Sequence, residues 1–170
     1  MSIDTRTYFS PDRMYRYCLW RCWGNVDADE PYIVFVGLNP SVADEQNDDP
    51  TIRRCVGFAK REGMSALCML NLFAFAATDP KAMKGAIQPI GPKWGEHFRR
   101  CVSQASKVVC AWGTHGAFDR RDKEVGQYLV RLVGEDRVVC LGTTKDGHPK
   151  HPLYLPRDTG MLPYPVGGGR

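Results

Sequence analysis

Two side-chain amides stand at positions where the chain is otherwise apolar or tightly turned. Asn39 lies in Gly37-Leu38-Asn39-Pro40-Ser41, directly after the apolar run YIVFV at 32–36. An amide held by the following proline at a pocket mouth can position a water or bond a ligand edge through its paired donor and acceptor. Gly, Asn and Pro are equally the residues of a plain turn. Asn71 is the one polar residue in ALCMLNLFAF at 66–75. Buried there, it must find partners; it either caps a strand end or offers its amide to a planar heterocycle such as a nucleobase.

Two imidazoles close the constellation. His148 and His151 sit in HPKHPLY at 148–154. Each is either a solvated loop histidine or a donor to negative charge developing on a leaving group. Leu153 and Tyr154 beside them would then form an apolar wedge against a base stack. No third histidine or carboxylate has recognisable ligand spacing, so no metal or other cofactor is expected. The acidic stretch DEQNDD at 44–49 reads as a solvated loop in which Asp49 caps the next helix; Asp48 or Asp44 could instead orient a water as general base. Arg53 and Arg54 follow near that helix start, where anions are favoured, and one of the pair is expected to face a phosphate. The chain has no G-x-S-x-G elbow and no Walker-type glycine-lysine loop, so acyl transfer and P-loop chemistry are not supported.

These groups need a scaffold that brings loop residues together. Four apolar runs, at 32–36, 66–75, 107–112 and 137–141, alternate with helical stretches. The first helix is bounded by Asp49-Pro50 at its start and Gly63 at its end; two more are expected over about 93–106 and 118–133. Continuous apolar runs separated by helices predict an α/β domain with a parallel central sheet. The aromatic-rich segment 13–23 predicts an additional N-terminal strand, with Arg13 and Arg21 on one face and Arg16 on the other. The segments 24–31 and 78–92 read as loops, and 156–170 as a Pro/Gly-rich tail. In such folds ligands lie beyond the carboxyl ends of the strands. Asn39 and Ser41, Asn71, Trp112 and His115, and His148 and His151 all fall at those ends.

Composition bounds the reading. The 170 residues fit a single domain spanning 1–170. Hydrophobic residues at 43% and charged residues at 25% exclude a disordered, collagen-like or coiled-coil chain. No apolar run is long enough to span a bilayer, and MSIDTRTYFSPDR lacks the apolar core of a signal peptide, so a cytoplasmic protein is expected. Seven cysteines without a C-x-x-C pair read as reduced thiols, with Cys68, Cys110 and Cys140 in apolar runs. The formal charge of +4 permits an anionic partner without demanding one.

The strings GLNPSVADEQNDDPTIRR, LNLFAFAATDP, AWG and GHPKHPLYL resemble the Domain of Unknown Function 1643 family over about 8–154. More distantly, the order of motifs resembles the uracil-DNA glycosylase superfamily. GLNPS is similar to its G-x-[DN]-P motif in the Asn-bearing form, MLNLF at 69–73 to its L-L-N strand, Trp112-Gly113 to its W-G, and HPLYL at 151–155 to its H-P-S-P-L loop. That resemblance implies a three-layer α/β/α sandwich with a short, mainly parallel sheet and a base pocket formed by Gly37, Pro40, Ser41, Asn71, Phe73, Trp112, His148, Leu153 and Tyr154. It further implies that Asn39, helped by Asp48, positions a water, that Asn71 reads the base, and that His151 stabilises the leaving base anion. The expected activity is hydrolysis of an N-glycosidic bond in DNA or a nucleotide, by a monomer that uses no cofactor and no membrane. A non-catalytic nucleotide- or nucleic-acid-binding module and a protein-interaction domain are the rival expectations.

Overall fold

The computed structural model describes residues 4–25 and 30–166. Parts of the expected loop at 24–31 and of the tail at 156–170 lie outside them. The chain runs β1 (Tyr8–Phe9), β2 (Arg16–Cys22), β3 (Tyr32–Gly37), α1 (Pro50–Arg61), β4 (Ala66–Asn71), α2 (Pro80–Gly85), α3 (Trp94–Val102), β5 (Lys107–Cys110), α4 (Arg121–Val133), β6 (Val138–Cys140) and β7 (Leu162–Pro163).

The four apolar runs form β3, β4, β5 and β6, which pair in parallel in the order β4-β3-β5-β6. Their continuous hydrophobicity has a direct cause, since both faces are covered. Ile33, Phe35, Leu67, Met69 and Val109 pack with Ile52, Cys55, Phe58 and Ala59 of α1. The alternate residues Val34, Val36, Cys68, Leu70, Val108 and Cys110 pack with Phe98 and Cys101 of α3 and Val125 and Leu129 of α4. Each large side chain removed fully from water contributes about 1.5–3 kcal/mol before its entropy cost.

The sheet as a whole is mixed, not mainly parallel. Its seven strands run β1-β2-β4-β3-β5-β6-β7. The pairings β1/β2, β2/β4 and β6/β7 are antiparallel and equal in number to the parallel ones. The two edges of the parallel core are closed by segments that need no crossover helix: the N-terminal strand on one side, and a short return of the tail on the other. Pro163 is tolerated in β7 because an edge strand has one side without ladder partners.

The smaller departures have local causes. The loop expected over 78–92 contains α2, begun by Pro80 and capped by the Asp79 carboxylate, which accepts from the Lys81 amide at 2.9 Å. The helix expected from 118 starts at Arg121, because Asp119 and Arg120 have φ of 52° and 57°, outside the helical region. The predicted start of α1 holds: Asp49 accepts from the Ile52 amide at 2.8 Å, and Pro50 occupies the first turn.

Strand β2 breaks the expected alternation. Tyr17 stacks on His97 of α3 with ring centroids 4.9 Å apart, and its neighbour Cys18 packs in the same cluster as Cys101 of α3. Two consecutive side chains therefore face the same layer. Arg16 is consequently turned to the α1 side, where it donates to the Ala43 carbonyl at 2.8 Å. Arg21 reaches the same loop, donating to the Asp44 carbonyl at 2.6 Å. The two arginines expected on opposite faces share one.

Candidate active-site cavity

The order in which strands are added to the sheet reverses at β3, since β4 lies on one side of it and β5 on the other. This is the arrangement that opens a crevice beyond the carboxyl ends of the strands. A cavity of about 790 Å³ lies there, within the size range of small-molecule sites.

Each parallel strand delivers side chains to it. Gly37, Asn39 and Ser41 come from the end of β3, and Asn71 from the end of β4. Trp112 and His115 follow β5, while His151 and Tyr154 come from the loop after β6. The remaining expected site residues lie outside the lining. Pro40 is buried behind Asn39, its carbonyl accepting from the Ala77 amide at 2.9 Å. Phe73 is core, 5.8 Å from the Phe118 ring. His148 shapes its own turn, its amide donating to Thr144 Oγ1 at 3.1 Å. Asp48 is engaged on the far side of the loop, where Oδ1 accepts from Arg21 Nε at 2.7 Å.

Arg53, Arg54 and Leu153 line a second cleft of about 540 Å³ on the outer side of α1, together with Arg61 and Arg157. Its arginines are largely committed to main chain. Arg53 donates to the Asp48 carbonyl at 2.9 Å, Arg54 to that of Leu155 at 2.6 Å, and Arg61 to those of Arg157 and Thr159. Arg54 and Arg61 strap the segment 153–159 onto α1.

The orientation of each polar group in the cavity follows from its bonds. Asn39 Nδ2 donates to the carbonyls of Ala77 at 2.8 Å, Pro40 at 3.1 Å and Phe75 at 3.4 Å. Three carbonyls fix the nitrogen inward, because an oxygen there would face only acceptors. Asn39 Oδ1 is left to accept from a ligand or water. Asn71 is 5% exposed, and its backbone carbonyl accepts from Trp94 Nε1 at 2.8 Å. No protein group in the described residues bonds its side-chain amide, which faces the cavity against Gly37. A Cβ at Gly37 would stand 2.9 Å from Asn71 Oδ1, so glycine is what makes room for it.

His151 Nδ1 accepts from the Leu153 amide at 3.3 Å. The neutral ring therefore carries its proton on Nε2. Burial lowers the His151 pKa from its ordinary 6.5, against the opposing pull of the Asp49 carboxylate. The outcome is a neutral imidazole with a free N–H donor. Trp112 Nε1 is also buried without a partner. Its indole is seated by Gly116, where a Cβ would fall 2.1 Å from Cδ1.

Three charged lining residues are not legible as such in the sequence. Arg16 was assigned to the wrong face, Asp49 was read only as a helix cap, and Lys150 carried no signal beyond its histidine neighbours. Asp49 does both things, capping α1 while bordering the cavity.

No cysteine among the described residues lines the cavity. All seven cysteines are free, and burial pushes the Cys68, Cys110 and Cys140 thiols up, away from the reactive thiolate. Among the described residues, no three or more His, Cys, Asp or Glu side chains are grouped to hold a metal ion. No helix among them is long and apolar enough to cross a membrane.

Residues 16–153 match the family described as Protein of unknown function (DUF1643), and the chain belongs to that family. No curated protein and no solved structure matches it.

Proposed function

We propose that this family member is a nucleobase-recognising enzyme of glycosylase type, hydrolysing an N-glycosidic bond in DNA or a nucleotide on a three-layer, uracil-DNA-glycosylase-like framework. One observation carries the reading: Asn39, Asn71 and His151 line a single cavity at the carboxyl ends of the parallel strands. Helices packed on both faces of the sheet support the layered framework.

In this mechanism the Asn71 amide pairs with the base edge, and Trp112 forms an apolar wall. Asn39 Oδ1 accepts from a water and aims it at the anomeric carbon. As the water oxygen bonds to that carbon, the N-glycosidic bond breaks and its electron pair leaves with the base. His151 Nε2–H donates to the base oxygen on which that charge accumulates, as a neutral donor does in a preorganised hole. The Asp49 carboxylate, rather than that of Asp48, takes the proton lost by the water, which afterwards neutralises the released base.

The test is base release, followed by chromatography and by abasic-site cleavage, on uracil-, hypoxanthine- and modified-base oligonucleotides and on free nucleotides. Replacing His151 by Ala should cost about 10²–10³-fold in turnover, and Asn39→Ala about 10²-fold. Absence of release on every substrate, or unchanged release by Asn39→Ala, overturns the reading. A non-catalytic binding module has one feature in its favour, since the amide at position 39 cannot accept a proton. It predicts base binding that depends on Asn71, with no turnover.

A further inference from the structure

Arg16 is a buried cation without an ion-pair partner among the described residues. It is 2% exposed and borders the cavity. The one hydrogen bond of its guanidinium among the described residues is from Nη1 to the Ala43 carbonyl at 2.8 Å. Its Nε is enclosed with no partner. Among the described residues no carboxylate forms an ion pair with it. Asp49 acts on it only through space, and burial pushes its pKa down to about 10, which leaves it charged at neutral pH.

The fold can compensate a buried arginine where it needs one only for structure. Arg121 donates from Nη1 to Glu124 at 2.8 Å and lies 4.0 Å over the Trp94 ring. Arg16 has neither a carboxylate nor a ring. A buried charge without an ion-pair partner is costly, and here the residue lines the cavity.

We propose that Arg16 is the anion-binding residue of this cavity, and that the ligand is a free mononucleotide whose phosphate enters the cavity and pairs with the guanidinium while its base meets Asn71. The proposal rests on the base-recognition reading above and names its substrate class. Arginine suits this role because its planar fork matches phosphate oxygens two at a time. A phosphate inside a polymer continues into chain on both sides and stays at the rim. A terminal monoester can reach a side chain that is 2% exposed. The outer arginine cleft, which would be the natural track for a strand, has Arg53, Arg54 and Arg61 already on main-chain carbonyls.

The experiment is calorimetric titration of the full chain with nucleosides, their 5′-monophosphates, inorganic phosphate and a short oligonucleotide lacking a terminal phosphate. The monophosphates should bind about 10–100-fold tighter than the nucleosides, the size of a charge-assisted hydrogen bond. Arg16→Gln should remove that preference and leave nucleoside affinity intact. Asn71→Ala should weaken both ligands together. Arg16→Lys, which keeps the charge but not the fork, should lose part of the preference, and it serves as the test if Arg16→Gln does not fold. Equal affinity for nucleoside and monophosphate, with Asn71 still required, overturns the anion site and spares the base reading. Equal binding of the oligonucleotide, dependent on Arg16, overturns the free-nucleotide assignment. Phosphate binding that depends on Arg16, without any nucleoside binding, upholds the anion site and removes the base reading. No binding of any probe overturns both.

Discussion

Replacing Gly37 by alanine tests the base-reading amide through a single methyl group. Gly37 is the last residue of β3 and pairs with Asn71 in the parallel ladder. Its Cβ would stand 2.8 Å from Met69 Cε and 2.9 Å from Asn71 Oδ1, where ordinary contact begins at 3.4 Å. Each atom has to retreat by about 0.5 Å to reach the ordinary separation. The thioether end of Met69 gives way at small cost. The strands cannot separate as easily, because the Leu72 amide donates to the Gly37 carbonyl at 2.9 Å and Trp94 Nε1 holds the Asn71 carbonyl at 2.8 Å. The Asn71 amide must therefore rotate. Overpacking of this kind, relieved by flexible ends, should cost about 1 kcal/mol. For a chain of this length that lowers Tm by about 2–4 °C. The effect on ligand is larger in proportion, since a group misplaced by a fraction of an ångström loses roughly 10–100-fold of its contribution. The assay is a thermal melt beside base or nucleotide titration of the same sample. Gly57→Ala is the control: Gly57 lies in α1 with nothing within 4 Å of the added methyl. Helix propensity there should raise Tm by about 2–4 °C without altering binding. Undiminished ligand affinity in Gly37→Ala refutes the placement of the Asn71 amide in recognition. A fall in Tm above about 8 °C shows that the strand pair yields instead of the amide, and refutes the reasoning on stability.

Gly116→Ala should be far more damaging, because its Cβ would fall 2.1 Å from Trp112 Cδ1 and that indole is pinned edge-on by Tyr164 at 5.6 Å. We expect a loss of about 3 kcal/mol and a drop in Tm of about 6–12 °C by scanning calorimetry. His151 has its folded-state pKa lowered from 6.5, so the unfolded chain binds the proton more readily. Stability should therefore fall as pH is lowered from about 6.5 through the folded pKa, and urea unfolding of His151→Gln should lack that component. Asp49→Ala should cost about 1 kcal/mol as a lost helix cap and abolish base release, while Asp48→Ala should leave release close to wild type; the reverse order would return the proton-accepting role to Asp48.

The parts of this molecule legible in its sequence are those set by one local rule. Buried parallel strands need apolar side chains on both faces, so β3, β4, β5 and β6 stand out as unbroken runs, and their carboxyl ends locate the cavity. Asp49-Pro50 and Gly63 mark the limits of α1 by capping alone. The misreadings share a different cause: each needed knowledge of a distant partner. A two-residue strand such as β7 has no period of its own and exists because β6 offers an unpaired edge. Asp48 and Asp49 are adjacent acids in one loop. What separates them is that Arg21, far away in the chain, takes the first at 2.7 Å, while the second turns inward to the α1 amides. Arg16 is the sharpest case. Strict alternation along β2 places it opposite Arg21, and only the packing of both Tyr17 and Cys18 against α3 reverses it. A break in alternation costs ladder regularity, and such irregularities are enriched beside functional sites because they re-aim a side chain. In β2 the side chain so re-aimed is the buried guanidinium without an ion-pair partner, which is why the irregular strand and the proposed anion site stand or fall on the same residue.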